Sequence, residues 1–261
     1  PQYHAAPYPY ARGAGLRLGQ SVGGWLRGFD KVYCNFGTLF DTDSFPARML
    51  ARPETFPERR GPWEIYVNAD GQRFIREDIP SVDAREMALL DQPGRRYWIV
   101  FDQGILDAAP PLIIDWTRED MLAAFERDGP AFARADTLEA LAGVAGIDAN
   151  GLRRAIDGFN YGVTTGHDFF GRIHAPLPIG AGPFYAIRMQ GCSISSAVGL
   201  AVDDDLRVIR QDGTPIPGLY AAGELLGSSQ TMGKAAAGGM MVTPAMTFGR
   251  LLGQRLLPVG A

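Results

Sequence analysis

The stretch GLYAAGELLGSSQTMGKAAAGGMMVTPAMTFGR, from Gly218 to Arg250, decides how the chain is organised. It predicts a buried strand, a loop rich in glycine and serine, and then a helix. At the strand end Ala221, Ala222 and Gly223 carry almost no side chain, so a ligand can approach the backbone closely. Glu224 follows at once, an acceptor-only carboxylate suited to polyol hydroxyls. Gly238 and Gly239 stand just before the helix. Its first amides, from Met240, Met241, Val242 and Thr243, face whatever lies there and favour partial negative charge.

Around this clamp the composition narrows the possibilities. The chain has 261 residues, 46% of them hydrophobic, enough for a real core in one large or two modest domains. A net charge of −4, with no basic block, argues against nucleic acid or an anionic membrane as partner. No apolar run approaches the length that spans a bilayer. Cys34 and Cys192 lie far apart and form no metal or redox motif, which predicts two reduced thiols and a cytoplasmic setting. The opening PQYHAAPYPYARGAG has no methionine, basic region or apolar core of a signal peptide, and reads like the middle of a longer or processed polypeptide.

Upstream of the clamp, Ala11–Gly28 predicts a short helix of small and apolar residues, followed by a proline-rich loop region. IYVNADGQRFI (Ile65–Ile75) predicts a hairpin in which Gly71 takes the positive φ of the turn. VDAREMALLDQ predicts a helix whose apolar face includes Met87, Ala88 and Leu89 or Leu90. Tyr97–Asp102 is an apolar run of strand length. Thr117–Gly129 predicts a helix with a Thr117–Asp120 capping box and an end at Gly129. DTLEALAGVAG and DANGLRRAIDGFNYGV predict two more, each opened by an aspartate. Short strands follow at FYAIRM, GLAVD, LRVIR and GLYAA, and a last helix runs from about Pro244 to Leu257.

A flavin needs what the clamp offers: acceptors for ribitol, and donors for the pyrimidine end of the ring, which is negative when reduced. The same pattern also fits a plain strand, loop and packed helix. Further motifs stand in order along the chain: NADGQRFIRE (Asn68–Glu77), GLRRAIDGFNYGVTTGHDFFGR (Gly151–Arg172), GPFYAIRM and IPGLYAAGE. With them the chain resembles the carboxy-terminal half of the fumarate reductase/succinate dehydrogenase flavoprotein superfamily, in its 3-ketosteroid dehydrogenase-like branch. The resemblance implies FAD as cofactor and a mixed α+β and α/β fold: part of a Rossmann-like FAD-binding lobe of the glutathione-reductase type, with an inserted α+β capping domain. It implies FAD-binding segments at 1–35 and 186–261 and a capping domain at 36–185. The family's G-x-G-x-x-G lies upstream of such a segment, so a missing amino-terminal portion, in the same or a separate chain, is expected as partner.

By the same resemblance Glu224 binds ribitol, and the backbone from Gly239 to Thr243 faces the flavin ring. Family dicarboxylate reductases carry an arginine where this chain has Ser81, a histidine where it has Ile194, and a further arginine where it has Ala236. A dicarboxylate without cationic partners is costly to desolvate. The dehydrogenases of the ketosteroid branch carry tyrosines where Ser81 and Ala236 stand, so their substrate-polarising residues are not carried over either. Ser81, Arg85, Lys234 and Tyr185 remain as polar candidates for catalysis, and for Arg85 a solvated or ion-paired helix position is the competing expectation. The resulting expectation is an FAD-dependent oxidoreductase acting on CH–CH groups of an enone-type, steroid-like small molecule. Its rivals are a fumarate/succinate- or tricarballylate-type dehydrogenase and a non-catalytic fragment that needs its amino-terminal half to bind FAD. No histidine or cysteine spacing suggests a metal.

Overall fold

The computed structural model describes residues 4–5, 10–32, 34–44, 47–127, 129–232 and 238–257. The chain divides into two compact units: Pro1–Ala6 with Asn35–Cys192, and Pro7–Cys34 with Ser193–Ala261. The first unit is built on a seven-stranded sheet. Its spine is the strand Phe184–Ser193, which pairs antiparallel with Arg96–Asp102, Phe132–Ala135 and Asn35–Phe40. Ile65–Val67 extends the sheet on one side and Met49–Ala51 on the other, and His4–Ala5 also joins the spine. The run Tyr97–Phe101 is at most 5% exposed throughout. An uninterrupted apolar strand needs cover on both faces, and the helices Gln103–Ala108 and Ala149–Thr165 pack against this part of the sheet.

Local signals account for most helix starts. Ser81, Asp102, Thr117, Thr137 and Asp148 each accept an amide of the first helical turn, and Thr117 forms a full capping box with Asp120. Four expectations need correction. The helix after Thr117 ends at Phe125 rather than Gly129, and the helix Leu138–Ala145 is capped by Thr137 rather than by an aspartate. On Val82–Leu90 the buried positions are Arg85, Glu86 and Leu89, while Met87 is exposed. Within Ile65–Ile75 only the first run is a strand; the second returns as a single bridge, Val67 to Arg73, around Gly71 at φ 69°.

The second unit holds two antiparallel ribbons, Leu26–Arg27 with Gly199–Leu200, and Arg207–Ile209 with Pro215–Tyr220. Its core is Leu200, Val208, Ile216, Ala221 and Leu226. The helix Ala14–Ser21 settles close on this core because Gly15 and Gly19 face Leu225 and Leu200; a Cβ at either glycine would come within 2.4 Å of a leucine methyl. The strand Pro215–Tyr220 is not the buried strand the sequence suggests. As one half of a two-stranded ribbon it buries only Ile216, with Ala221 just beyond its end.

Candidate functional site

The clamp is assembled by tight turns that only glycine allows. After Tyr220 the Ala221 amide donates to the Leu206 carbonyl, and Gly223, at φ 68°, starts a 3-10 turn through Leu226. Gly227, at φ 73°, lies against the Ala197–Gly199 backbone, where a Cβ would meet the Ala197 carbonyl at 2.4 Å. A single helical turn, Ser228–Thr231, is anchored by Gln230, whose side-chain amide donates to the Leu200 and Leu226 carbonyls. The helix Val242–Leu256 then closes the far side.

Between these parts lies a cleft of about 430 Å³. Of the expected cofactor residues, Gly223, Glu224, Met240, Met241 and Val242 line it, whereas Ala222, Gly238, Gly239 and Thr243 do not. Gly239, at φ 82°, forms the turn into the helix, and its carbonyl takes the Thr243 amide at 2.9 Å. That amide is therefore not the open donor the sequence suggests, and Pro244 brings none. The Glu224 carboxylate makes no hydrogen bond or ion pair among the described residues, and so keeps its acceptor sites open to the cleft. A Cβ on Gly223 would make ordinary contact with the Ala245 methyl at 3.5 Å, so it is the positive φ of the turn that calls for glycine here. A carboxylate at the edge, a glycine that lines the cleft with no side chain and a methionine-lined wall fit a ligand with hydroxyls and a flat ring, as FAD has. Ser228, Thr231, Ala245 and Met246 also line the cleft and were not singled out in the sequence; the serine-rich loop and the small residues of the helix were the available signal.

Of the four polar candidates for catalysis, the three that are described, Ser81, Arg85 and Tyr185, do not line the cleft. Ser81 is an exposed N-cap whose hydroxyl takes the Ala84 amide at 3.1 Å. Arg85 is only 1% exposed; it donates to the Thr55 carbonyl and lies over the rings of Phe36 and Phe56, at 5.6 and 4.5 Å. It is thus not solvated, and among the described residues it forms no ion pair and its Nε has no partner. Tyr185 is buried against Phe101 and Phe125 and donates to Gln103 at 2.6 Å. Lys234 and Ala236 lie outside the described residues. Ile194, 44% exposed, stands in the second unit.

The two motif segments of the first unit meet in a buried charge network. Arg73 binds both oxygens of Glu77, at 2.8 and 2.6 Å, and reaches Asp168 at 2.5 Å; Arg172 lies 3.4 Å from Glu77 and donates to the Glu64 and Pro62 carbonyls. Burial would raise the Asp168 carboxyl, but the hydrogen bonds and charge of Arg73 hold it below its ordinary range. Glu64, paired with Arg60 at 2.5 Å, is lowered against the same burial penalty. Every carboxylate and guanidinium of this network is compensated internally, and this explains the spacing of NADGQRFIRE without a catalytic role. His167 is exposed, and among the described residues no group of three or more potential ligands could hold a metal ion.

The family model for the FAD binding domain matches residues 12–240. The chain is 30% identical over 244 residues to the probable fumarate reductase Ifc3 of Shewanella frigidimarina, covering 93% of this chain and 38% of that protein. It is 32% identical over 220 residues to a 3-oxosteroid 1-dehydrogenase of Mycobacterium tuberculosis, covering 74% and 38%. Among solved structures, the 3-ketosteroid delta1-dehydrogenase of Sterolibacterium denitrificans superposes with a TM-score of 0.73 at 27% identity, over 97% of this chain and 48% of that one. The chain therefore spans less than half the length of these relatives.

Proposed function

We propose, on the premise that this chain belongs to the FAD binding domain family, that it forms part of an FAD-dependent oxidoreductase acting on an uncharged, enone-type substrate. The observation that carries the cofactor part is the cleft between Gly223–Thr231 and Met240–Met246, with the open Glu224 carboxylate at its edge. Bound there, FAD would supply a two-electron hydride donor or acceptor at N5. Glu224 would hold ribitol hydroxyls, and Gly223 would let the ring approach the backbone. The methionines and Val242 would exclude water from the face they cover.

The substrate part rests on what the cations do. Arg60, Arg73 and Arg172 are already neutralised by Glu64, Glu77 and Asp168, and Arg85 is buried against rings and a carbonyl. Ser81 and Ile194 stand where dicarboxylate reductases need charge. This supports a neutral substrate. The rival reading, a dicarboxylate, is favoured by the broader coverage by the probable fumarate reductase Ifc3. One experiment separates them: anaerobic absorbance of the flavin in the full-length protein, titrated with a 3-oxo-4-ene steroid and with succinate. Bleaching by the steroid and not by succinate is expected; bleaching by succinate alone overturns the neutral-substrate reading. A protein that takes up no FAD would instead support the non-catalytic alternative.

A further inference from the structure

The first unit carries a second cavity, of about 590 Å³, which the charge network and the cofactor cleft leave unexplained. Its base is rigid. The segments 52–54 and 112–114 run antiparallel, joined by Glu54 N–H to the Leu112 carbonyl at 2.7 Å, Ile114 N–H to the Arg52 carbonyl at 3.0 Å, and a Pro53–Ile113 bridge. Asp115 then turns at φ 64°, which a non-glycine residue adopts at a cost of about 1–3 kcal/mol. The turn presents Trp116, which is held by stacking on Phe132 at 6.0 Å and 14°. Opposite, Trp63 meets the His174 ring edge-on at 6.0 Å and 71°. Gly61 lies so close to that ring that a Cβ would come within 2.8 Å of Nε2. The backbone of residue 174 is pinned on both sides, its amide on Asp78 at 3.0 Å and its carbonyl on Arg172 at 2.6 Å.

The electrostatics of the cavity are self-cancelling. Arg60 is bidentate with Glu64 and also donates to the Pro110 carbonyl, and Arg59 lies 3.5 Å from Glu54. His174 is held below its ordinary value by burial and by the charge of Arg172, so it is neutral near pH 7. Its Nε2 is buried without a hydrogen-bond partner. The exposed Asp115 carboxylate at the mouth repels anions. Flat aromatic walls and internally paired charges define the ligand chemistry.

We propose that this cavity binds an uncharged ring compound. Two probes with the same rings, 2-naphthol and 2-naphthoate, test it by calorimetric titration of the full-length protein at pH 7. Saturable binding of 2-naphthol is expected, with 2-naphthoate at least about tenfold weaker, a difference of about 1.4 kcal/mol. Ile114→Arg, at a rim position 37% exposed, should abolish binding while leaving the thermal melt unchanged. Trp116→Ala should weaken it about tenfold. No saturable 2-naphthol binding, equal affinity of the two probes, or wild-type affinity in the folded Ile114→Arg variant overturns the proposal. The inference is independent of the flavin chemistry: a protein that binds 2-naphthol here and bleaches only with succinate keeps this site and loses the neutral-substrate reading.

Discussion

Glu224 and Arg73 illustrate opposite fates of a charged side chain. Glu224 has no partner among the described residues and lines a cleft, so its hydrogen-bonding capacity is available to a ligand. Glu224→Ala should weaken FAD binding about 10- to 100-fold, the worth of hydrogen bonds to a charged group, with an unchanged melt of the apoprotein. Fluorescence titration of FAD into the full-length protein checks this, and an undiminished affinity would remove Glu224 from the site. Arg73, by contrast, is buried and already shared between Glu77 and Asp168. Truncation leaves two carboxylates without their main counter-charge, so Arg73→Met should cost about 3–5 kcal/mol in a urea unfolding curve. Both residues stood out in the sequence, one in AAGE and one in NADGQRFIRE. What the sequence left hidden was which would be satisfied internally, because Asp168 lies 95 positions from its partner.

Among the elements, the turn at Gly71 shows how a local motif serves long-range packing. Its φ of 69° suits glycine, and its Cα lies against the start of the helix Ala149–Thr165, where a Cβ would stand 2.2 Å from the Leu152 amide nitrogen. Gly71→Ala therefore meets both backbone strain and a clash with main chain that has no room to move. A loss of at least about 1–3 kcal/mol is expected in chemical denaturation. The turn and the helix caps were legible because their causes are local: a glycine, a threonine three residues before an aspartate. Asn35–Phe40 and Met49–Ala51 were not, since their strand character comes from pairing with the distant spine and with each other. The buried face of Val82–Leu90 was misread for a related reason. Arg85 is drawn inward by two aromatic rings and a carbonyl, none of which its own helix supplies.

For the molecule as a whole, the shifted ionisations set an acid limit. His174 is neutral in the fold and its folded value lies below the unfolded one, so the stability it contributes is present above about pH 6.5 and is lost as pH falls through the folded value. Glu64 and Asp168 are also lowered, and their contribution is present above the ordinary carboxylate range near pH 4 and lost below it. Unfolding midpoints should hold steady from pH 8 to 7 and then decline in two stages. His174→Gln, which never titrates, should remove the first stage and leave the second. The Cys192 thiol, pushed up to about 11 by burial, should resist iodoacetamide at pH 8 in the folded protein and react once it is unfolded.

The register of the spine has a last consequence. Asn35 and Cys192, the residues that begin and end the long segment of the first unit, are direct cross-strand partners. Residues so paired sit about 5 Å apart at the Cα. A stretch whose two ends are neighbours can be lifted out, or exchanged for another of different length, without stretching the polypeptide at the splice. That makes 35–192 a cassette for chimera building once the strand His4–Ala5, which pairs with its spine, is removed or exchanged with it: one glycine or two would bridge the excision, and a foreign insert would need only two adjacent antiparallel ends.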